Sequence, residues 1–169
     1  MKNSVEIERK YIIKMPATSL MEAEGEYTSS EILQIYLKSD AGITRRVRSR
    51  TSFGKTVYTE TAKIRIDRIS AIEKEREISA EEFSSLIKDI REGSHPIKKV
   101  RHTFKYSGQL FEIDVYPEWN STAIMETELS DREKEIAMPP FIEIVREVSG
   151  LSEYSNSAMS VSFPAEDHL

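Results

Sequence analysis

The chain contains no cysteine. That excludes disulfides, thiolate metal ligands and cysteine nucleophiles, and it fits a reducing compartment, so a cytoplasmic location is expected. No apolar run approaches the ~20 residues of a membrane span, and the N-terminus carries Glu6 and Glu8 where a signal peptide is apolar. No membrane partner is expected. Excess positive charge is also missing. With a formal net charge of −5, the chain as a whole does not recruit nucleic acid, and any cationic cluster must act locally. There is no G-x-x-x-x-G-K-[S/T] phosphate loop. The three histidines, His95, His102 and His168, are scattered without metal-ligand spacing, and no serine has convincing His/Asp partners in the sequence. Internal repeats and low-complexity tracts are absent.

What the chain has is charge inside its strands. In Val5–Ile13, residues two apart share a face, so Glu6, Glu8 and Lys10 lie opposite Val5, Ile7, Tyr11 and Ile13. The arrangement recurs at Arg46/Arg48, Glu73/Glu75/Glu77, Lys99/Arg101, Glu112/Asp114 and Glu126/Glu128. A single such strand is an ordinary solvated face. Many of them, with the two signs sorted strand by strand, point to a shared polar surface built to hold a charged ligand.

A length of 169 residues favours one domain over 1–169, with a core of about 4–158 and a tail over 159–169. Runs rich in Val, Ile, Thr, Tyr and Arg between turn residues predict strands over Ser4–Ile13, Glu31–Lys38, Ile43–Thr51, Thr56–Arg65, Ala71–Ser79, Ile97–Lys105, Gln109–Pro117 and Ala123–Leu129. Several of the turns between them are short, which implies antiparallel hairpins. A capping-box pattern at Ser79-Ala80-Glu81-Glu82 predicts a helix carrying Phe83, Leu86, Ile87 and Ile90 on one face and closing at Gly93. Ser130-Asp131-Arg132-Glu133 predicts a second helix, stopped by Pro139-Pro140. Phe141–Val148 reads as a third, and Pro16–Glu24 as a weaker one. Trp119, in a turn after Pro117, reads as a loop anchor, and His102 as structural or exposed. A β-sandwich would bury one face of every strand in a dry core, where unpaired charge is costly. A closed barrel can turn its charged face onto a wet channel while the apolar face packs under external helices. The expected fold is therefore mainly β (α+β): an eight-stranded antiparallel closed barrel with short helices outside.

Glu6/Glu8 and Glu126/Glu128 lie on the first and last strands, which closure in sequence order would bring together. Four carboxylates without His or Cys make a hard-oxygen site suited to Mg²⁺ or Mn²⁺. Arg46, Arg48, Lys63, Lys99 and Arg101 share the same inner face, and their forks and ammonium groups match phosphate oxygens. Cross-strand salt bridging accounts for some of these pairs, but not for the segregation of signs. Metal on one wall and cations on the other is the layout expected for a polyphosphate.

These residues resemble the CYTH superfamily, the triphosphate tunnel metalloenzymes. Glu6-Ile7-Glu8-Arg9-Lys10 is similar to its E-x-E-x-K signature and Gln34-Ile35-Tyr36-Leu37 to its Q-G-Y-L segment. Arg46-Val47-Arg48, Lys63, Glu73-Lys74-Glu75, Lys99-Val100-Arg101, Phe111–Val115 and Glu126-Thr127-Glu128 follow in order, from Val5 to about Ala158. The resemblance implies a tunnel that cleaves triphosphates with divalent metal. Glu6, Glu8, Glu126 and Glu128 would hold the metal, and Lys10, Arg46, Arg48, Lys63, Lys99 and Arg101 would bind phosphates. Glu73, Glu75 and Asp114 would orient cations, hold a second metal or position water, and Tyr36 would accept a proton. The strand offers Glu73, Glu75 and Glu77 for the family's acidic pair. Ile64–Ser70 replaces a Gly-rich turn, and Tyr154-Ser155-Asn156 lacks the basic residue of a Y-K-N-like plug. Inorganic triphosphate is the expected small-molecule substrate, giving pyrophosphate and phosphate. The alternatives are adenylyl cyclase, thiamine triphosphatase and a non-catalytic polyphosphate- or nucleotide-binding module. Analogy with relatives suggests a homodimer.

Overall fold

The computed structural model of the protein describes residues 2–169, with side chains from Ser4 onward. Nine strands form one antiparallel sheet: β1 (Lys2–Lys14), β2 (Gly25–Leu37), β3 (Ile43–Ser52), β4 (Lys55–Arg65), β5 (Ser70–Ile78), β6 (Ile97–Tyr106), β7 (Gln109–Val115), β8 (Thr122–Glu128) and β9 (Ile144–Glu147). Their order is β5-β4-β3-β2-β6-β7-β8-β1-β9, and pairing of β1 with β5 closes the first eight into a barrel. All eight expected strands are present, but their closure is not sequential. β2 pairs with β6, and β1 lies between β8 and β5. The acidic strand β5 therefore stands beside the E-x-E strand, with Glu6 opposite Ala71 and Ser4 opposite Glu73.

Alternation sorts the side chains into three apolar clusters. On the outer face, Tyr11, Ile13, Phe104, Phe111, Ile113, Ala123 and Met125 pack with Met21 of α1 (Thr18–Glu22) and with Ile136, Met138, Phe141 and Ile142. A second outer cluster joins Ile35, Leu37, Val47 and Ile78 to Phe83 of α2 (Ala80–Leu86). The Ser79 side chain caps α2 by accepting from Glu82 N at 3.0 Å, as the capping box requires. The third cluster is internal. Ile12, Ile97, Tyr116 and Ile124 sit on the inner face at one end of the barrel and pack on Val148, Tyr154 and Met159 of the C-terminal segment. That segment, which includes α3 (Asn156–Met159), plugs this end. Full burial of each such side chain contributes about 1.5–3 kcal/mol.

Two expected helices are absent. Over 130–138 the Asp131 carboxylate accepts from Glu133 N at 3.0 Å, forming a local turn in place of a helical start. Ile136 and Met138 then strap across the outer cluster. Residues Ile144–Glu147, expected to be helical, form β9, which pairs with Tyr11–Ile13 of β1. β5 covers this edge of β1 only over Lys2–Ile7. The backbone groups beyond it need partners, and β-branched Ile144 and Val145 suit a strand. The helix expected near Pro16–Glu24 is α1. Thr127 and Val47 occupy the outer face, and of the two Val47 lies under a helix. The tail is ordered against the plug: Trp119, 3% exposed, donates from Nε1 to Pro164 O at 2.9 Å.

Candidate functional site: a charged cavity inside the barrel

The inner face above the plug encloses a cavity of about 720 Å³. β1 contributes Glu6, Glu8 and Lys10, β2 Tyr36, β3 Arg46 and Arg48, β4 Lys63, and β5 Glu73 and Glu75. β6 adds Arg101, and β8 adds Glu126 and Glu128. The structure thus brings most of the residues singled out in the sequence into one chamber, and Glu73 and Glu75, not Glu77, face it. Lys99 and Asp114 do not reach the wall. They lie behind it as a buried pair at 2.6 Å, 3% and 0% exposed, with Lys99 also 3.5 Å from Asn156 Oδ1 of the plug. Lys99 is therefore not placed to touch a ligand directly in this structure.

Asp114 organises one side of the chamber. Its carboxylate accepts from Arg101 at 2.7 and 2.8 Å as well as from Lys99. Burial pushes the Asp114 carboxyl up, but Arg101 and Lys99 outweigh that and hold it down at about 2. Burial lowers Lys99 to about 8 despite its partner. Arg101 also pairs with Glu112 at 2.6 Å and Glu126 at 3.6 Å, while Lys10 pairs with Glu126 at 3.2 Å. This half of the chamber is satisfied.

The other half is not. Among the described residues Arg48 donates only to the neutral Gln34 Oε1, at 2.8 and 3.1 Å. Burial and the neighbouring Arg46 and Arg101 charges push it down to about 9. An arginine remains charged at neutral pH, so the shift expresses a cation without a counter-ion. Arg46 Nε is buried with no hydrogen-bond partner. The carboxylates show the mirror image. Burial and the nearby Glu73 carboxylate raise Glu6 to about 7, while burial and Glu126 do the same to Glu8. Their partners go the other way. Burial opposes ionisation of Glu73 and Glu126, but Lys63 and Arg46 beside the first, and Lys10 and Arg101 beside the second, keep both low. Each carboxylate pair therefore retains a proton well above the ordinary range.

Among the described residues no three carboxylates or histidines gather into a ready coordination shell; they approach in pairs. The donor set consists of hard oxygens only, and a cation between the pairs would relieve their repulsion. In that sense the residues present fit a divalent metal.

Sequence reasoning gave no role to several residues in the cavity wall or directly behind it. Gln34 also donates from Nε2 to Tyr36 Oη at 2.6 Å, so one amide orients both the phenol and Arg48. Arg50 continues the Arg46/Arg48 alternation and lines the chamber, with Nε bonded to Ser30. Glu112 belongs to the Glu112/Asp114 alternation. Arg65 continues the parity of Lys63 at the end of β4, whereas Arg68 and Ser149 onward come from turns, where alternation gives no signal.

No protein-family model matches the chain, and no curated protein matches it. Among solved structures it is similar to the inorganic triphosphatase NE1496, at 28% identity and TM-score 0.59, over 95% of this chain and 97% of that one. The resemblance to the CYTH superfamily is borne out. PH1819 from Pyrococcus horikoshii OT3 is similar in fold, with TM-score 0.57 at 18% identity over 76% of this chain and 80% of that one. A protein from Pyrococcus furiosus behaves alike, with TM-score 0.56 at 20% identity over 75% and 80%. The barrel is plugged at one end by its own C-terminal segment. No helix among the described residues is long and apolar enough to cross a membrane.

Proposed function

We propose that the protein hydrolyses inorganic triphosphate to pyrophosphate and phosphate, with Mg²⁺ or Mn²⁺. One observation carries this reading: like charges crowd on opposite walls of one chamber, with Arg48 pushed down to about 9 and Glu6 and Glu8 pushed up to about 7. A ligand that relieves both walls must bring an anion to one and a cation to the other, and a metal–polyphosphate does so. Similarity to an inorganic triphosphatase over 95% of the chain supports the choice of substrate.

Glu6, Glu8, Glu126 and Glu128 would hold the metal, whose chemistry is to polarise phosphoryl oxygens and acidify bound water. The protein's own groups do the rest. Arg46, Arg48, Arg101 and Lys10 meet the charge on the non-bridging oxygens in a partly desolvated site, where such contacts act strongly. Asp114 keeps the Arg101 fork aimed, so no reorganisation is needed as charge shifts toward the leaving pyrophosphate. Gln34 fixes Arg48 and Tyr36 together. The plug closes the barrel with its apolar cluster and turns the Ser149, Ser152 and Ser155 hydroxyls toward the chamber. In the reaction the water oxygen bonds to a terminal phosphorus, the bridging P–O bond breaks, and pyrophosphate departs with the electron pair.

A panel assay tests the reading. Purified protein is offered triphosphate, ATP and thiamine triphosphate with Mg²⁺ or Mn²⁺, and phosphate and cyclic AMP are both measured. Triphosphate should be cleaved fastest, EDTA should abolish turnover, and Ca²⁺ should restore it poorly because its coordination is looser. Full activity in EDTA, or cyclic AMP as the main product, would overturn it.

A further inference from the structure

Two segments distant in sequence are set side by side by the fold. The last residue of β4 and the β4–β5 turn bring Arg65 and Arg68 to the rim of the cavity, and the plug brings Ser149, Ser152 and Ser155 to the same rim. The two are in close contact. Arg68 Nε donates to Ser149 O at 2.9 Å. Gly150 has φ +72°, and a Cβ built there would lie 2.5 Å from Arg68 O. Only glycine lets the plug lie so close against this turn.

The charge at this rim is uncompensated. Asp67 lies between the two arginines in sequence, yet its carboxylate accepts from Ile69 N at 3.0 Å and Ser70 N at 3.1 Å and pairs with Arg132. Among the described residues Arg65 makes no side-chain hydrogen bond or ion pair, and Arg68 makes only its bond to Ser149 O. Lys10, Lys63 and Arg101 in the same cavity are all matched by carboxylates. The plug offers hydroxyls here and no cation.

We propose that Arg65 and Arg68 form a further anion position at the rim, binding the outer phosphate of a triphosphate whose inner phosphates meet Arg46, Arg48 and Arg101. The rim thereby supplies from the β4–β5 turn the cation that the plug lacks. Two guanidinium forks on one rim suit the terminal phosphate, which has the most non-bridging oxygens. This proposal rests on the triphosphate reading above, and its test separates the two.

Arg65→Gln is the clean probe, because Arg65 has no partner within the fold to lose. A contact made equally in ground and transition states raises KM and leaves kcat alone, so KM for triphosphate should rise about 10-fold with kcat within about twofold. Arg65→Gln/Arg68→Gln should raise KM by about 100-fold on the same reasoning. The melting temperature of Arg65→Gln without ligand and its Trp119 emission should match the wild type. A second measurement needs no turnover: the thermal upshift induced by triphosphate with Mg²⁺ should shrink in both variants. If the wild type binds triphosphate without cleaving it, hydrolysis fails, and the rim stands or falls on that upshift alone. Wild-type KM and upshift in both variants would overturn the rim. So would an effect confined to the double variant, because Arg68 also holds the plug through Ser149.

Discussion

Asp114→Asn keeps the shape of a side chain that is 0% exposed and removes the charge joining Lys99 to Arg101. Lys99, already lowered to about 8 by burial, can answer by shedding its proton. Arg101 cannot; it keeps Glu112 and Glu126 but loses the charge behind its two bonds to Asp114, at 2.7 and 2.8 Å. Breaking a buried pair by removing one partner costs about 3–5 kcal/mol. At about 2–4 °C per kcal/mol for a chain of this size, the melting temperature should fall by roughly 6–20 °C. The single tryptophan, Trp119, is buried in the plug and reports unfolding by fluorescence. Adding Lys99→Met should recover part of the loss, since an apolar replacement of a buried pair is tolerated. The sign with pH follows from the depressed carboxyl. Asp114's contribution is complete above its ordinary pKa of ~3.9 and is lost as pH falls through about 2. A melting temperature within about 2 °C of wild type at pH 7 would refute the reasoning, because it would mean less than about 1 kcal/mol rests on the triad.

Arg48→Ala should lower kcat/KM for triphosphate by about 10²-fold, or ~2.7 kcal/mol of transition-state stabilisation, while leaving the melting temperature unchanged or higher, because the charge removed has only an amide partner; loss of stability together with activity would mark it as structural. Glu166 accepts from Asn120 N at 2.8 Å and Ser121 N at 2.6 Å, and these bonds hold its carboxyl down at about 2. Its tether of the tail should therefore persist above about pH 4.3, the ordinary glutamate value, and weaken as pH falls toward 2, and Glu166→Gln should weaken it at neutral pH. Red-shifted Trp119 emission would reveal the freed tail, and unchanged emission in both experiments would show that Phe163 packing alone holds it.

The strands were legible because alternation of charge with Ile, Val and Tyr is strong and local; each of β1 to β8 overlaps its expected run, although β2 begins at Gly25, well before the expected Glu31. The helix expected at Ser130 shows where local signals fail. Its Ser-x-x-Glu start is real, but Ile136 and Met138 are spaced by two, a strand-like step, and Pro139 leaves little length to propagate a helix. β9 was hidden because its partner is an edge of β1 left uncovered by β5, a fact of pairing between residues far apart. Parity told which face Lys99 and Asp114 occupy but not their depth along the barrel, so Lys99 was placed on the cavity wall when it lies behind it, against Tyr116 and Asn156. Nor does sequence order reveal that β5 closes on β1, which is why the Glu6–Glu73 pair emerges only from the fold.

That pair, with Glu8 beside Glu126, explains how a chamber can be folded and yet strained by charge. The Asp114 side is neutralised internally and needs no ligand to keep its geometry. The Arg48 and Glu6/Glu8 side is held in place by that framework but lacks compensation. Were every charge already matched, a ligand would have to displace existing partners, and little binding energy would remain. Under the proposed function a metal with an anion would replace water and repulsion instead, which would link binding to folding. Triphosphate with metal at a hundredfold excess over its dissociation constant should add ~2.7 kcal/mol to stability. Orthophosphate, too short to reach both the Arg46/Arg48 cluster and the rim, should stabilise less at the same concentration.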